Sequence, residues 1–269
     1  MTKGSRVEVM SKKNVWISIY NLILMLILPV LLIAAWYIFS EKGLINPSIL
    51  PKPEKVYQAF RKQIALGTLS QHLSFSIMRV LKGYFLGVLI GMTIGILAAI
   101  SKTVERMLSI LIGVFRPIPP IACIPFFVLW LGIKEESKVA VIILGTFWPV
   151  LLNTIQGIKN TDKKLLEVGT LFGKNKLQIL VQIILPSALP VIFTGWRLGI
   201  SSAWTCVVAA EMIAASKGVG YLISYGRELA QPALLMVGII SIGIIGLIID
   251  FLFLHLQKAV VYWERPTNQ

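Results

Sequence analysis

The chain alternates long apolar runs with short polar breaks. A helix needs roughly 20 mainly apolar residues to cross a membrane. Six runs reach that length: 15–39, 75–100, 108–131, 139–158, 190–215 and 233–260. The first carries Trp16 and Tyr20 at one end and Trp36 and Tyr37 at the other, as interfacial aromatic belts do. It is longer than a signal-peptide core, and no small-x-small cleavage site follows, so it reads as an anchor. The pattern predicts an all-α, polytopic membrane protein with six transmembrane helices. The first polar break, 40–71, is the longest. "NPSILPKPEKV" opens it with three prolines that prevent regular helix. "EKVYQAFRKQIALG" then predicts a short amphipathic helix at the membrane surface.

Composition supports this reading. Of 269 residues, 56% are hydrophobic and only 14% charged, where a soluble domain averages about 25% charged. The net charge is +14. Its basic residues are scattered between apolar runs and form no compact basic domain, so they do not point to nucleic acid. The positive-inside rule accounts for them. Lys3, Arg6, Lys12 and Lys13 precede the first run, which predicts an inner N-terminus. Six crossings then place both termini in the cytoplasm and 40–71 outside. The organisation expected is one membrane domain: a cytoplasmic tail 1–14, a first span 15–39, the outer loop 40–71, a core 72–260 and a cytoplasmic tail 261–269. Cys123 and Cys206 lie in apolar runs, and His72 and His255 are far apart. No disulfide framework, metal spacing or catalytic cluster follows.

Three patterns inside the apolar runs carry more information. Gly83, Gly87, Gly91 and Gly95 recur every four residues. Such a stripe lets another backbone approach closely, from this chain or a second copy. "FRPIPPIACIP" places Arg116, Pro117, Pro119 and Pro120 together. Prolines at that density break a helix, and broken backbone in a membrane needs protein or a wet cavity around it. The segment is either a wall or hinge of a pathway or a distorted packing helix. Arg116, Arg197, Glu211 and Asp250 are charges within spans, costly and functional by default. Each either bonds another helix or contacts a solute. Arg197 and Glu211 are roughly 21 Å apart along one helix and cannot pair. Arg79 and Lys82 lie nearer an end and are expected to snorkel.

The longest polar segment expected inside is 159–186, containing "EVGTLFGKNKLQILVQIILP". Thr161 can cap a helix, with Asp162 in its first turn. Leu165, Val168, Leu171 and Phe172 give it one apolar face. Gly173 can stop it in a left-handed conformation. Asn175 can cap a second helix, limited by Pro186. Two short helices joined by an elbow are expected. By physical reasoning alone they are either an interaction knob or an amphipathic hairpin lying on lipid headgroups.

This segment resembles the cytoplasmic motif of ABC importer permeases: E-A-A, three residues, G, nine residues, I-x-L-P. Glu167, Gly173, Ile183, Leu185 and Pro186 match it at the right spacing. Val168 and Gly169 replace two alanines. Gly169 keeps the side chain small, and Val168 adds bulk. "RPIPPIACIPFFVLWLGI", "FWPVLLNTIQGI" and "AAEMIAASKGVGYLI" extend the resemblance over most of the chain. They look like the nitrate, sulfonate, taurine and bicarbonate importer group. The resemblance implies a type I importer permease in the plasma membrane. It also implies a second permease copy, an outer solute-binding protein and a pair of cytoplasmic ATPases that dock on 159–186. Glu167, Val168, Gly169, Leu171, Phe172, Gly173, Ile183, Leu185 and Pro186 would make that docking element. The chain has no G-x-x-x-x-G-K-[ST] loop, so it is expected to carry no cofactor, with ATP and magnesium on the partner ATPase. Arg116, Pro117, Pro119, Pro120, Arg197 and Glu211 are the expected pathway or gating residues. The mild positive excess within spans suits a small anion. The alternative at this level is an ion-coupled secondary transporter, which would need midplane ion sites in broken helices.

Overall fold

The computed structural model describes residues 24–261 and Trp263. The tail 1–14, the start of the first span with Trp16 and Tyr20, and residues 264–269 lie outside the described residues. Every regular element among those described is helical.

Helix α1 runs Leu24–Glu41 and exposes almost all of its apolar surface. It is anchored at Trp36, whose indole N–H donates to the Pro51 carbonyl at 3.0 Å, and at Glu41, which pairs with Lys52 at 2.9 Å. Helix α2, Pro53–Ala65, is the expected amphipathic helix. Pro53 suits its first turn because no N–H is needed there. Val56, Ala59 and Phe60 face a cluster of Leu69, Leu222, Leu234 and Val237.

The core is a trio of long helices: α3 (Thr68–Ile100), α6 (Glu135–Lys159) and α9 (Leu185–Ala214). The glycine stripe of α3 settles against α6 of the same chain. A Cβ on Gly83 would lie 2.6 Å from Ile142 Cβ, one on Gly87 2.7 Å from Thr146 Cβ, and one on Gly95 2.8 Å from Thr154 Cβ. Bare backbone is therefore what lets the two helices touch. The matching order of those pairs makes α3 and α6 parallel. Val80, Tyr84, Val141, Ile142, Ile200, Trp204 and Val207 fill the space between the trio. Tyr84 and Trp204 satisfy their polar atoms on the Trp196 and Ile242 carbonyls, as buried aromatic polar groups must.

Helix α4 (Lys102–Phe115) is followed by a break, a 3-10 turn at Pro120–Cys123, and α5 (Ile124–Leu131). The two halves meet at 84°. The run 108–131 is thus no straight helix, because the prolines remove donors and force the turn. Helices α7 (Lys163–Leu171) and α8 (Lys176–Ile179) make the elbow, and α10 (Val219–Glu228) and α11 (Pro232–Val260) close the bundle. Among the described residues five helices are long and apolar enough to cross a membrane, and six crossings result if α4–α5 counts as one.

One expectation fails here. Pro186 does not end the second elbow helix. The chain continues as one helix from Lys176 to Ala214, 39 residues. A wide π turn, Leu180–Ile184, precedes the proline, and Leu185 N–H reaches back to the Leu180 carbonyl. Pro186 then sits in the first turn of α9, where its missing N–H costs little.

Candidate functional site

Polar chemistry collects in three places. The first lies at the α2 end of the bundle. Arg79 of α3 is buried, not snorkelling as expected, because acceptors from three elements surround its guanidinium. Its Nε and Nη2 donate to the Glu135 carboxylate at 2.6 and 2.7 Å. Its Nη1 donates to Glu211 of α9 at 2.8 Å and to the Lys217 carbonyl at 2.6 Å. Glu211 also accepts from Ser76 Oγ at 2.8 Å and from the Gly220 N–H at 2.9 Å. His72 Nδ1 accepts from the Gly218 N–H at 3.0 Å. Gly218 has φ +125°, and a Cβ there would overlap the Glu211 carboxylate. The loop can therefore wrap the acid only with glycine. Glu211, a candidate gate by sequence, is in the structure the hub that ties α3, α6, α9 and α10 together. Ser76 and Glu135 were not singled out by sequence, His72 was given no role there, and 217–220 entered only within the longer segment "AAEMIAASKGVGYLI". The glycines of "SKGVG" are the one local signal that a backbone approaches closely there.

The second place is a polar track on α9 and its neighbours. Arg116, Pro117 and Pro119 occupy the exposed break between α4 and α5, and Pro120 starts the 3-10 turn. Arg197 does not meet Glu211. It makes a bidentate pair with Asp250 of α11, at 2.8 and 2.9 Å. The two side chains are 34% and 43% exposed. Asp250 lies about 27 Å along α11 from its start and about 15 Å from its end, at 1.5 Å per residue. An ion pair open to hydrocarbon at that depth is costly. Beside it, Thr194, Ser201 and Thr205 are exposed along one face of α9. Each hydroxyl donates to a carbonyl four residues back, at 3.1 Å.

The third place is the elbow. Asp162, not Thr161, caps α7, accepting from the Lys164 N–H at 2.9 Å. Thr161 lies one residue too early, and its hydroxyl is buried without a partner. Gly173 stops α7 at φ +68°. Its N–H donates to the Thr170 carbonyl and that of Lys174 to the Gly169 carbonyl, at 2.9 and 3.1 Å, a Schellman closure. Asn175 then opens the next helix with a reciprocal capping box to Gln178. Gly169 is buried, and a Cβ on it would sit 2.5 Å from Ile183 Cδ1. That contact draws α7 against the π turn. Val168 is exposed, and at the tip Leu171 is 87% and Phe172 78% exposed. Glu167 also points to solvent.

Comparison with known proteins gives these features a context. Residues 87–262 match the family described as "Binding-protein-dependent transport system inner membrane component". The chain is 37% identical over 240 residues to a putative aliphatic sulfonates transport permease of Bacillus subtilis (strain 168), covering 89% of this chain and 87% of that one. It is 34% identical over 238 residues to a taurine transport system permease of Escherichia coli (strain K12), covering 87% and 86%. Its fold resembles a chain of the MetNI methionine ABC transporter in an inward-facing conformation, with TM-score 0.65 and 17% identity, over 74% of this chain and 98% of that chain.

Proposed function

The chain belongs to the family of binding-protein-dependent transport system inner membrane components, and from that premise we propose how it works and what it carries. It is a permease of an ABC importer, a multi-pass membrane protein and a translocation subunit rather than an enzyme. The ion-coupled alternative is set aside by that membership. Our reading goes further: the elbow seats a separate ATPase that binds ATP and magnesium, and the cargo is a small organic anion of the sulfonate class. An outer binding protein delivers it, a second copy of the chain completes the pathway, and the elbow and both termini are cytoplasmic.

The exposed Leu171–Phe172 tip carries the coupling reading. Large apolar side chains held out by a Schellman closure and a capping box are a rigid plug awaiting a groove. The elbow is continuous with the 39-residue helix that contains α9, about 58 Å along its path against a hydrocarbon core of about 30 Å. Force applied at the elbow therefore reaches the spans with little lost in flexible joints. Helix α9 is packed against α6 along its length and pinned at Glu211, so it would carry the core trio with it as one body and open or close the track. For the cargo, the support is the names of the sulfonate and taurine relatives and the cationic Arg116 at the exposed break. The half-open Arg197–Asp250 pair and the hydroxyls beside it fit a water-lined wall.

Phe172→Asp and Glu167→Lys test the coupling reading. Both residues are exposed, so the variants should reach the membrane in normal amounts. Both should lose most of the co-purifying ATPase and of binding-protein-dependent sulfonate uptake into vesicles. Normal uptake by both would sink the docking role.

A further inference from the structure

At the α2 end, α3 and α6 leave a groove of about 550 Å³ between them. Phe75 and Met78 on one side and Val139 and Ile143 on the other make it apolar along its length. Arg79 and Glu135 also line it, but they neutralise each other in the network already described. Two further charges, Lys82 of α3 and Glu136 of α6, are exposed and take part in no ion pair among the described residues. The level of each follows from the helix packing. Gly83 lies against Ile142 and Val139, so the Lys82 backbone is a little more than one turn below Glu136. Side chains on these two parallel helices both lean toward the N-terminus, so the Lys82 ammonium stays deeper than the Glu136 carboxylate. Helix α6 has 25 residues, about 37 Å, and its first turn stands at the headgroup layer of a hydrocarbon core of about 30 Å.

The groove thus offers Lys82 with Glu136 nearer the water at headgroup level, above an apolar channel, and the Lys217 ammonium lies 4.9 Å over the Phe75 ring at its edge. An anionic lipid satisfies Lys82 and leaves Glu136 facing like charge. A soluble zwitterion satisfies both and leaves the channel bare. We propose that this groove binds a zwitterionic aminophospholipid. Its phosphate sits on Lys82, its ammonium sits on Glu136, and one acyl chain runs along Met78, Val139 and Ile143. The site is separate from the elbow and from the Arg197 track, and it depends on the membrane location alone.

The test is native mass spectrometry of the detergent-purified full chain. The chain is titrated with dioleoyl phosphatidylethanolamine and, separately, with dioleoyl phosphatidylglycerol. The wild type should retain the ethanolamine lipid about fivefold better, the worth of one exposed ion pair. Lys82→Gln should weaken retention of both lipids. Glu136→Gln should keep binding but lose the preference. Ile143→Trp, which fills the channel, should expel both. Equal retention of the two lipids by the wild type overturns the proposal, as does an unchanged preference in Glu136→Gln. Displacement of the ethanolamine lipid by millimolar 2-aminoethanesulfonate would also overturn it, by assigning the groove to a soluble zwitterion.

Discussion

Glu211 shows how one residue changes meaning once its neighbours are known. In sequence it is an acid stranded in a span. In the structure it accepts from Arg79, Ser76 and the Gly220 N–H. Removing one partner of a buried pair costs about 3–5 kcal/mol, while replacing both by apolar groups is often neutral. Arg79→Met should therefore lower the thermal midpoint of the detergent-solubilised chain sharply. The double variant Arg79→Met, Glu211→Leu should recover only part of the loss, because the Gly220 N–H and the Lys217 carbonyl also lose their partners, read by size-exclusion thermal challenge. The existence of charged sites was legible in the sequence, but their partners were not. Arg79 lies 56 residues from Glu135 and 132 from Glu211, and helical arithmetic works only within one helix. The same arithmetic rightly kept Arg197 from Glu211 but could not name Asp250.

At the scale of elements, local chemistry was the most readable. The left-handed Gly173 and the Asn175 cap act on backbone groups within a few residues, so spacing alone announced them. The α3 glycine stripe announced a close approach without saying to what. Its partner is α6, and the fit leaves no room: the Gly87 position faces both Thr146 Cβ and the Ile143 carbonyl. Gly87→Leu should cost about 1–3 kcal/mol or more through overpacking. It should lower the thermal midpoint, whereas Gly113→Leu, where a Cβ meets nothing, should not. Pro186 misled because a proline is a stop only in a helix interior. Here the π turn has shifted the hydrogen-bond pattern just upstream, and the proline falls in a first turn.

At the scale of the whole molecule, six apolar runs foretold the fold class, and the cluster of prolines foretold that one run would break. How the pieces assemble around a path was not written in any one run. The half-open Arg197–Asp250 pair gives the test. In a chain whose Cys123 and Cys206 are replaced by alanine, Ser201→Cys and Thr205→Cys should react with a membrane-impermeant anionic thiol reagent in assembled importer. Leu89→Cys, on an exposed apolar face of α3, should stay unlabelled. Labelling only at Leu89 would place the wet face elsewhere.

The π turn also acts as an angular setting. One residue in a helix corresponds to about 100° of rotation, so a turn that holds an extra residue fixes the compass bearing of everything beyond it. Helix α9 is clamped by its core contacts, and the direction in which Leu171 and Phe172 face is therefore dialled by the five residues Leu180–Ile184. Deleting Val181, whose side chain is half exposed, should leave the spans folded and swing the tip about 100° around the axis. Such a chain should insert with its spans folded, yet lose the Gly169–Ile183 contact and turn its plug away from the native bearing. In a homodimer both plugs would turn together, and a twin-seated engine would find neither handle within reach.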